Sequence, residues 1–176
     1  MTLNAPSATR YEVSPGESSL EVEARSTFHP VRASVKALAG YVQAAWDADG
    51  TLAASPEPAM HVEFPVDRVS SGNALQDREM LKMIDARRFP KVAADLRGIA
   101  PTAAGRYQAT GDVTLAGRVR RYQGEFSIAG DGGRVSVEGE LSVDVRDFGI
   151  VPPSLLVLKV DPILRIRLRL VARKAA

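Results

Sequence analysis

The side chains that most often perform acid–base or metal chemistry are scarce in this chain. It has no Cys and only two His among its 176 residues. Without thiols, the chain cannot form disulfides, thiolate zinc sites or Cys nucleophiles. His29 precedes Pro30 in a predicted bend, and His61 faces outward on a predicted strand. We therefore expect both to be ordinary surface histidines rather than metal ligands.

The sequence motifs of common enzyme classes are missing as well. There is no phosphate-binding Gly-rich loop, no dinucleotide fingerprint and no Ser in a nucleophile elbow. Asp147-Phe148-Gly149 has the letters of a kinase metal-binding motif, but no strand Lys or HRD-type catalytic loop accompanies it. We interpret the motif as structural, with Gly149 permitting a turn and Phe148 packing inside. The sequence thus predicts no enzyme, no metal site and no cofactor.

Asp77 is the most informative polar residue. It lies on the apolar side of a predicted helix, between Leu81 and Ile84 on the helical wheel. One interpretation is a carboxylate near a helix start, where the helix dipole favours it. The other is an inward carboxylate paired with an arginine such as Arg146, since a buried charge without a partner is costly. Both interpretations stay open at this stage.

The helix that carries Asp77 is the one segment with an apolar period near 3.6. It is predicted from Ala74 to about Arg87, with Asn73 as its N-cap and Gln76 completing a capping-box pattern. A proline at position 90 forces Phe89 out of the helix. The apolar residues cover an arc of roughly 160°; they are Met80, Leu81, Met83 and Ile84.

Most other segments alternate apolar and polar residues. The clearest runs from Leu164 to Leu170, where Arg occupies every second position. Such alternation predicts half-buried antiparallel strands, of which we count about eight to ten. Asp49-Gly50 and the run Gly130–Gly133 supply turn residues between them. The chain therefore reads as one all-β domain, residues 1–176, with an amphipathic helix as a lid on a sheet or barrel.

Three stretches, taken in order, carry a family resemblance. They are Ser71–Pro90 (SGNALQDREMLKMIDARRFP), Gly111–Arg120 (GDVTLAGRVR) and Val145–Ile150 (VRDFGI). Together with the opening segment Tyr11–Glu23, they resemble the YceI-like family of lipocalin-like barrels associated with polyisoprenoid binding. The resemblance implies a closed antiparallel β-barrel of about eight strands, a size that can hold one small or elongated ligand.

The chain departs from that family's pattern in its polar residues. Where the family usually has Arg-Asp followed by His in the helix, this chain has Gln76-Asp77 followed by Glu79. The family's early His-Ser is replaced by Ser18-Ser19, and the Arg before the Asp-Phe-Gly site is shifted to Arg146. These differences concern contacts to a polar head group and leave the expected barrel unchanged.

The leading hypothesis is a carrier of a long apolar molecule, an isoprenoid or another lipid, with the ligand class supplied by the resemblance. Burial drives such binding, because each methylene removed from water contributes about 0.8 kcal/mol. Flexible Met side chains suit a variable apolar ligand, although they are also common core residues. The predicted ligand-binding residues are Met80, Met83, Ile84, Phe89, Leu115, Phe126, Val137, Leu141, Phe148 and Asp77.

Two other functions stay open. The barrel could be an enzyme's reaction chamber, which would need a convergent acid–base pair inside. It could also be filled, since Leu115, Phe126, Val137 and Leu141 are large enough to pack its interior, and act as a protein-interaction module. The surface for that role would be Arg165, Arg167 and Arg169, which we interpret first as a solvated strand edge that resists aggregation.

Composition and charge narrow the partners and the compartment. The chain is 45% hydrophobic and 25% charged, and its 23 Lys and Arg against 21 Asp and Glu leave a net charge of +2. Nucleic-acid binding is not expected, because no basic face with interleaved aromatic residues is present. No apolar run is long enough for a membrane span, and the first residues do not resemble a signal peptide. We expect an apolar small molecule as partner, a cytoplasmic location and, as an assembly to consider, a homodimer.

Overall fold

The computed structural model describes residues 5–131, 133–151, 154–155 and 158–175. Within these ranges, the alternating segments form β-strands and the 3.6-period segment forms the α-helix, as predicted. The elements are β1 (Thr9–Val13), β2 (Ser19–Ser26), β3 (Val31–Val35), β4 (Ala39–Ala44), β5 (Ala59–Pro65), α1 (Ala74–Ile84), β6 (Lys91–Ala103), β7 (Arg106–Leu115), β8 (Arg118–Gly130), β9 (Arg134–Asp144), β10 (Ser154–Leu155) and β11 (Leu158–Lys174).

Eight strands close into an antiparallel barrel, which confirms the predicted fold class. The wall runs from β1 through β4, β5, β6, β7, β8 and β9 to β11, and β11 returns to pair with β1. The hairpin of β2 and β3 extends the wall, because the first part of β11 pairs with β2. Beyond β3, Ser34 and Ser70 each donate a backbone N–H to the other's carbonyl oxygen at 2.9 Å. This bridge attaches the β2–β3 hairpin to the segment that follows β5.

The barrel has two different ends. The base holds the β4–β5, β6–β7 and β8–β9 connections, and the mouth holds α1 with the β2–β3, β7–β8 and β9–β10 connections. At the base, Trp46 Nε1 donates a hydrogen bond to Tyr11 Oη at 3.0 Å. The Trp46 ring lies over Gly130, where a Cβ would come within 2.1 Å of a ring carbon. A buried apolar cluster around these residues closes the base: Tyr11, Val13, Val42, Ala44, Val135, Val137, Leu168, Leu170 and Ala172.

The α1 helix begins as predicted and ends earlier. Asn73 Oδ1 accepts hydrogen bonds from the amides of Leu75 and Gln76, at 3.0 and 3.2 Å. The capping-box prediction is wrong, because the Asn73 amide donates to Ser71 Oγ instead of to Gln76. The helix stops at Ile84, since Asp85 adopts a left-handed conformation with φ of 57°. No helix in the described ranges is long and apolar enough to cross a membrane.

The row of arginines on β11 lies within the sheet. Strand β11 is flanked by β9 and β2, so the prediction that Arg165, Arg167 and Arg169 form a strand edge is wrong. Their side chains face outward next to carboxylates of those neighbouring strands. Arg167 Nη2 lies 2.9 Å from Glu140 Oε1, and Arg169 Nε lies 3.6 Å from Glu138 Oε1. The sequence of one strand could not reveal which strands would pair with it.

The wall is tightly packed around Gly139, and a substitution there tests this packing. A Cβ at Gly139 would lie 2.3 Å from the backbone oxygen of Glu125 and 2.3 Å from Cδ1 of Phe126. Backbone cannot move aside cheaply, so we expect Gly139→Ala to lower the free energy of unfolding by about 1–3 kcal/mol. Urea denaturation measures the change. Gly16→Ala is the control, because no atom lies within 4 Å of that Cβ, and it should change stability by less than about 0.5 kcal/mol. Equal effects would contradict this account of the wall.

Candidate functional site: the barrel lumen and its mouth

The inward side chains of the wall change in exposure along the barrel axis. On β11, Leu170 is 0% exposed and Leu168 is 6% exposed near the base. Ile166 and Leu164 point the same way from the same strand nearer the mouth, yet they are only half-buried. Since the strand backbone is alike at all four positions, the difference indicates space in front of the side chains nearer the mouth.

Strand β9 shows the same change and then reverses it. Val135 and Val137 are buried at the base, Leu141 is half-buried, and Val143 is buried again beneath Phe148. The accessible space is therefore a middle section between the base cluster and the mouth. We call this section the lumen and define it by half-buried inward side chains, which are Leu96, Val113, Tyr122, Phe126, Leu141 and Ile166.

The glycines on the inward face include Gly111, Gly124 and Gly139. The Phe126 ring covers two of them, since a Cβ at Gly139 or Gly124 would lie 2.3 or 2.9 Å from ring carbons. The ring thus lies along the wall instead of crossing the lumen. Gly111 is different, because the atoms nearest to its Cβ position belong to the backbone of β6. From Tyr122 to Phe126, at about 3.4 Å per residue, the lining of β8 extends roughly 14 Å.

The mouth is covered by the 3₁₀ turn Val145–Phe148. Phe148 is buried, and Gly149 ends the turn with a φ of 74°, which confirms the structural interpretation of the Asp-Phe-Gly motif. Tyr122 Oη donates to Asp147 Oδ2 at 2.6 Å, and the Tyr122 and Phe148 rings stack at 6.0 Å. Burial, with the nearby Asp147 carboxylate, raises the pKa of Tyr122 to about 12. This phenol therefore stays protonated and holds the turn to the wall.

The α1 helix contributes an apolar side to the mouth. Ile84 packs against a buried group that we call the mouth cluster, and Met80 and Leu81 are half-buried. The mouth cluster consists of Leu115, Val143, Val145, Phe148 and Ile150. Met83 was expected to face inward, but it is 37% exposed and lies at the outer margin of the helix. The inward side of the helix therefore follows Met80, Leu81 and Ile84, and Met83 lies outside it.

Asp77 forms hydrogen bonds with the loop just before the helix, not with a residue across the mouth. Its Oδ1 accepts hydrogen bonds from the Ser71 amide at 2.9 Å and from Ser71 Oγ at 2.6 Å. The interpretation that pairs Asp77 with Arg146 is wrong, because Arg146 Nη2 lies 2.7 Å from Asp144 Oδ2. Asp77 is a carboxylate of the first helical turn that fixes the preceding loop.

The other predicted site residues divide among three regions. Phe126 and Leu141 line the lumen, whereas Val137 belongs to the base cluster. Leu115 and Phe148 are buried in the mouth cluster. Phe89 packs over Gly117 at the rim. Four lumen residues were missed, although the same alternation as in Phe126 and Leu141 could have indicated them: Leu96, Val113, Tyr122 and Ile166.

A cluster of three titratable side chains lies on the outer side of the wall. His61 Nδ1 lies 2.7 Å from Asp95 Oδ1, and His61 Nε2 lies 3.5 Å from Glu63 Oε2. The hydrogen bond to Asp95 is the main cause that raises the pKa of His61 above its ordinary value of 6.5. Among the described residues, no group of three or more His, Asp or Glu is arranged to hold a metal ion.

The His61–Asp95 pair predicts a pH-dependent stability. Because the pKa of His61 is raised in the folded state, the pair stabilises the fold fully below the ordinary value of 6.5, and this contribution is lost as pH rises through the raised pKa. Asp95→Asn should therefore cost more unfolding free energy at about pH 5.5 than at about pH 8.5 in urea denaturation.

Asp112→Asn is the matched control. Asp112 pairs with Arg97 at 2.8 Å and Arg121 at 3.0 Å, and arginines stay charged across this range. Its cost should be the same at both pH values. A cost of Asp95→Asn that is equally independent of pH would contradict the assignment of His61.

Comparison with known proteins agrees with this geometry. The BcnA structure of Burkholderia cenocepacia matches with a TM-score of 0.76 and 18% identity, over 91% of this chain and 99% of that one. A polyisoprenoid-binding domain from Saccharophagus degradans, implicated in plant cell wall breakdown, matches with a TM-score of 0.69 and 10% identity, over 94% and 98% of the two chains. The Campylobacter jejuni YceI protein matches with a TM-score of 0.69 and 14% identity, over 85% and 88%.

These structural likenesses establish the fold. No curated protein matches the chain. The family model of the YceI-like domain, however, matches residues 11–172, from the first strand of the barrel to the last. The chain therefore belongs to the YceI-like family.

Proposed function

We propose that this protein binds a long apolar molecule, an isoprenoid or a similar lipid chain, inside the lumen. The observation that carries the proposal is the exposure of inward apolar side chains in mid-barrel, where Phe126, Leu141 and Ile166 are only half-buried. Covering such surface is favourable by about 25 cal/mol per Å². The similar domain from Saccharophagus degradans is described as polyisoprenoid-binding, which supports the choice of ligand class.

The shape and chemistry of the lumen favour a slender chain. Its defining side chains carry no charge at neutral pH, because the pKa of Tyr122 is about 12. Apolar lining gives little directional recognition, so affinity must come from the length of chain buried. A lining of roughly 14 Å along one strand suits an extended hydrocarbon better than a compact ring system.

The other two functions have weaker support. A reaction chamber needs an acid and a base facing the same space, whereas His61, Asp95 and Glu63 lie on the outside of the wall. An interaction module would use the outer groove of about 780 Å³ beside β11. Arg167 there is already paired with Glu140 and Glu21. We therefore propose a binding protein without catalysis.

Leu141→Asp and Ser142→Asp test the lumen directly. Leu141 faces the lumen, and Ser142 is the next residue of β9, exposed on the outer face. A bound chain would have to desolvate the new carboxylate at position 141. Retinol fluorescence titration should therefore show at least about a tenfold loss of affinity for Leu141→Asp. Ser142→Asp should stay within about twofold of the parent. Equal affinities for the two variants would contradict the site.

A chain-length series gives a test that needs no variant. Straight-chain alcohols should displace retinol with affinities that rise about fourfold per added methylene, since each contributes about 0.8 kcal/mol. The rise should stop when the chain fills the lumen. An affinity independent of chain length, or a parent protein that binds no retinol, would mean that the barrel does not hold an apolar chain.

A further inference from the structure

The exposed apolar side chains of this protein are concentrated at one end of the barrel. Single exposed apolar residues are common on protein surfaces, but a concentration of them marks an interaction surface. Phe28 and Val151 are the most exposed, at 70% and 80%. Within the described ranges, all of the exposed large apolar side chains lie at the mouth; they are Phe28, Leu75, Met83, Val119, Val151 and Ile163.

These side chains come from separate segments around the opening. Phe28 belongs to the β2–β3 connection, Val119 is the second residue of β8, and Val151 lies in the β9–β10 connection. Ile163 is paired with Asp144, the last residue of β9, so it also lies at the mouth end of its strand. The other two are carried by α1. The exposed apolar surface therefore surrounds the mouth and does not extend down one side of the barrel.

Arginines without an acidic partner lie among these apolar side chains. Arg118 and Arg120 flank Val119 and are both exposed. The β7 residues opposite them are Leu115 and Val113, which offer no counter-charge. Arg120 Nη1 donates to the carbonyl oxygen of Val119 at 2.7 Å, and neither guanidinium forms an ion pair within the described part of the chain. Their long side chains begin the row at the rim, where they reach solvent.

The outer side of α1 repeats this combination. Leu75 and Arg78 are one helical turn apart and exposed. Among the described residues Arg78 has no acidic partner. The Glu79 carboxylate lies 3.3 Å from Lys82 Nζ instead, and Asp77 accepts hydrogen bonds from the preceding loop. The helix thus adds an exposed apolar side chain and an unpaired cation to the same end of the barrel.

The connections at the base have the opposite charge. They are residues 45–58, 104–105 and 131–133, and the sequence places no Lys or Arg in them. Their charged residues are all carboxylates, which are Asp47, Asp49, Glu57 and Asp131. All of these are exposed. An anionic surface would therefore be repelled by the base connections and attracted by the arginines of the mouth.

A membrane that contains anionic lipids matches the mouth better than a second copy of the chain does. A two-fold contact between two mouths would place the same arginines against each other, and like charges across an interface are costly. A bilayer offers phosphates to the arginines and, just beneath them, hydrocarbon to the apolar side chains.

We propose that the mouth end of the barrel docks on an anionic membrane surface. Phe28, Val119 and Leu75 enter the head-group region, while Arg118, Arg120 and the exposed arginine of α1 contact lipid phosphates. Docking uses the outer surface of the mouth and does not depend on the proposed function. If the lumen holds an apolar chain as well, this orientation lets the chain pass between bilayer and barrel without crossing water.

Cosedimentation with lipid vesicles tests the docking. The full chain should bind vesicles of phosphatidylcholine and phosphatidylglycerol in equal amounts at least about tenfold more tightly than vesicles of phosphatidylcholine alone. Arg118→Gln/Arg120→Gln should weaken binding to the anionic vesicles by at least about tenfold, and Phe28→Ser by at least about fivefold. Arg106→Gln/Arg134→Gln is the matched control, because it removes two charges at the base ends of β7 and β9. It should stay within about twofold of the parent, since charges beyond a Debye length of about 10 Å are screened.

Tryptophan fluorescence shows which end faces the membrane. The only Trp of the chain, Trp46, lies at the base. Brominated acyl chains in the anionic vesicles should quench the indole introduced by Phe28→Trp, because an indole at the membrane interface lies close to the acyl chains. They should leave Trp46 of the parent unquenched. Quenching of Trp46 in the parent would show that the base faces the bilayer and would overturn the proposal.

Leu141→Asp separates docking from binding in the lumen. This variant should bind the anionic vesicles within about twofold of the parent, although its affinity for retinol is lost. If it no longer bound vesicles, lipid would be recognised inside the lumen and docking by the mouth would be overturned. A parent that binds retinol but not anionic vesicles would overturn docking alone, and one that binds vesicles but not retinol would support docking and contradict the lumen function.

Three further results would overturn the proposal. Equal affinity of the parent for anionic and neutral vesicles would remove the role of the arginines. Binding to anionic vesicles that Phe28→Ser leaves unchanged would remove the role of the apolar side chains. A parent that is a dimer in analytical ultracentrifugation, and that Phe28→Ser converts to a monomer, would show that a second copy covers the mouth.

Discussion

The barrel depends on the continuous ladder of β11. Every backbone amide in a closed wall needs a partner, and β11 supplies partners on one side to β9 and on the other side to β2 and then β1. Between β1 and β2 the chain leaves the ladder in a 3₁₀ turn. The buried hydroxyl of Ser18 fills that gap, since it accepts from the Val171 amide at 3.0 Å and donates to the Val171 carbonyl oxygen at 3.2 Å. One strand thereby holds the base and the mouth halves together.

At two places inside this wall an aromatic ring packs over a glycine, and the two rings have different surroundings. At the base, Trp46 lies over Gly130 and its indole bonds to Tyr11, so the ring belongs to a cluster that fills the space. In mid-barrel, the Phe126 ring lies over Gly139 and packs against the base cluster from the side of the lumen. Its ring stays on the wall and leaves the lumen accessible. The pairing of ring and glycine is thus common to both places, and the hydrogen bond to Tyr11 distinguishes Trp46, since a Phe ring has no polar atom to donate.

Patterns in the sequence predicted the features that depend only on neighbouring residues, such as strand formation and side-chain direction. The alternation from Leu164 to Leu170 gave the strand and its inward face correctly, because side-chain direction depends only on the period of the backbone. Which strands flank β11 depends on residues far away in the chain, so the edge interpretation failed. For Asp77 the sequence left a local and a distant interpretation open, and the local one holds, since its partner is Ser71, six residues away. Whether the barrel is filled depends on side chains that meet across it, and no single segment contains that information.

The charged side chains on the outer face of the wall have different neighbours from those at the mouth. Outside, cations and carboxylates on adjacent strands neutralise one another, as Asp112 does between Arg97 and Arg121. Such exposed pairs contribute little stability each, about 0–1 kcal/mol. Arg118 and Arg120 lie on the inward-facing side of the same sheet, where the β7 residues opposite them, Leu115 and Val113, are apolar. Their lack of acidic neighbours is therefore a consequence of the alternation that builds the lumen. Because this alternation keeps carboxylates off the inward face, β7 offers no counter-charge to the two arginines at the entrance.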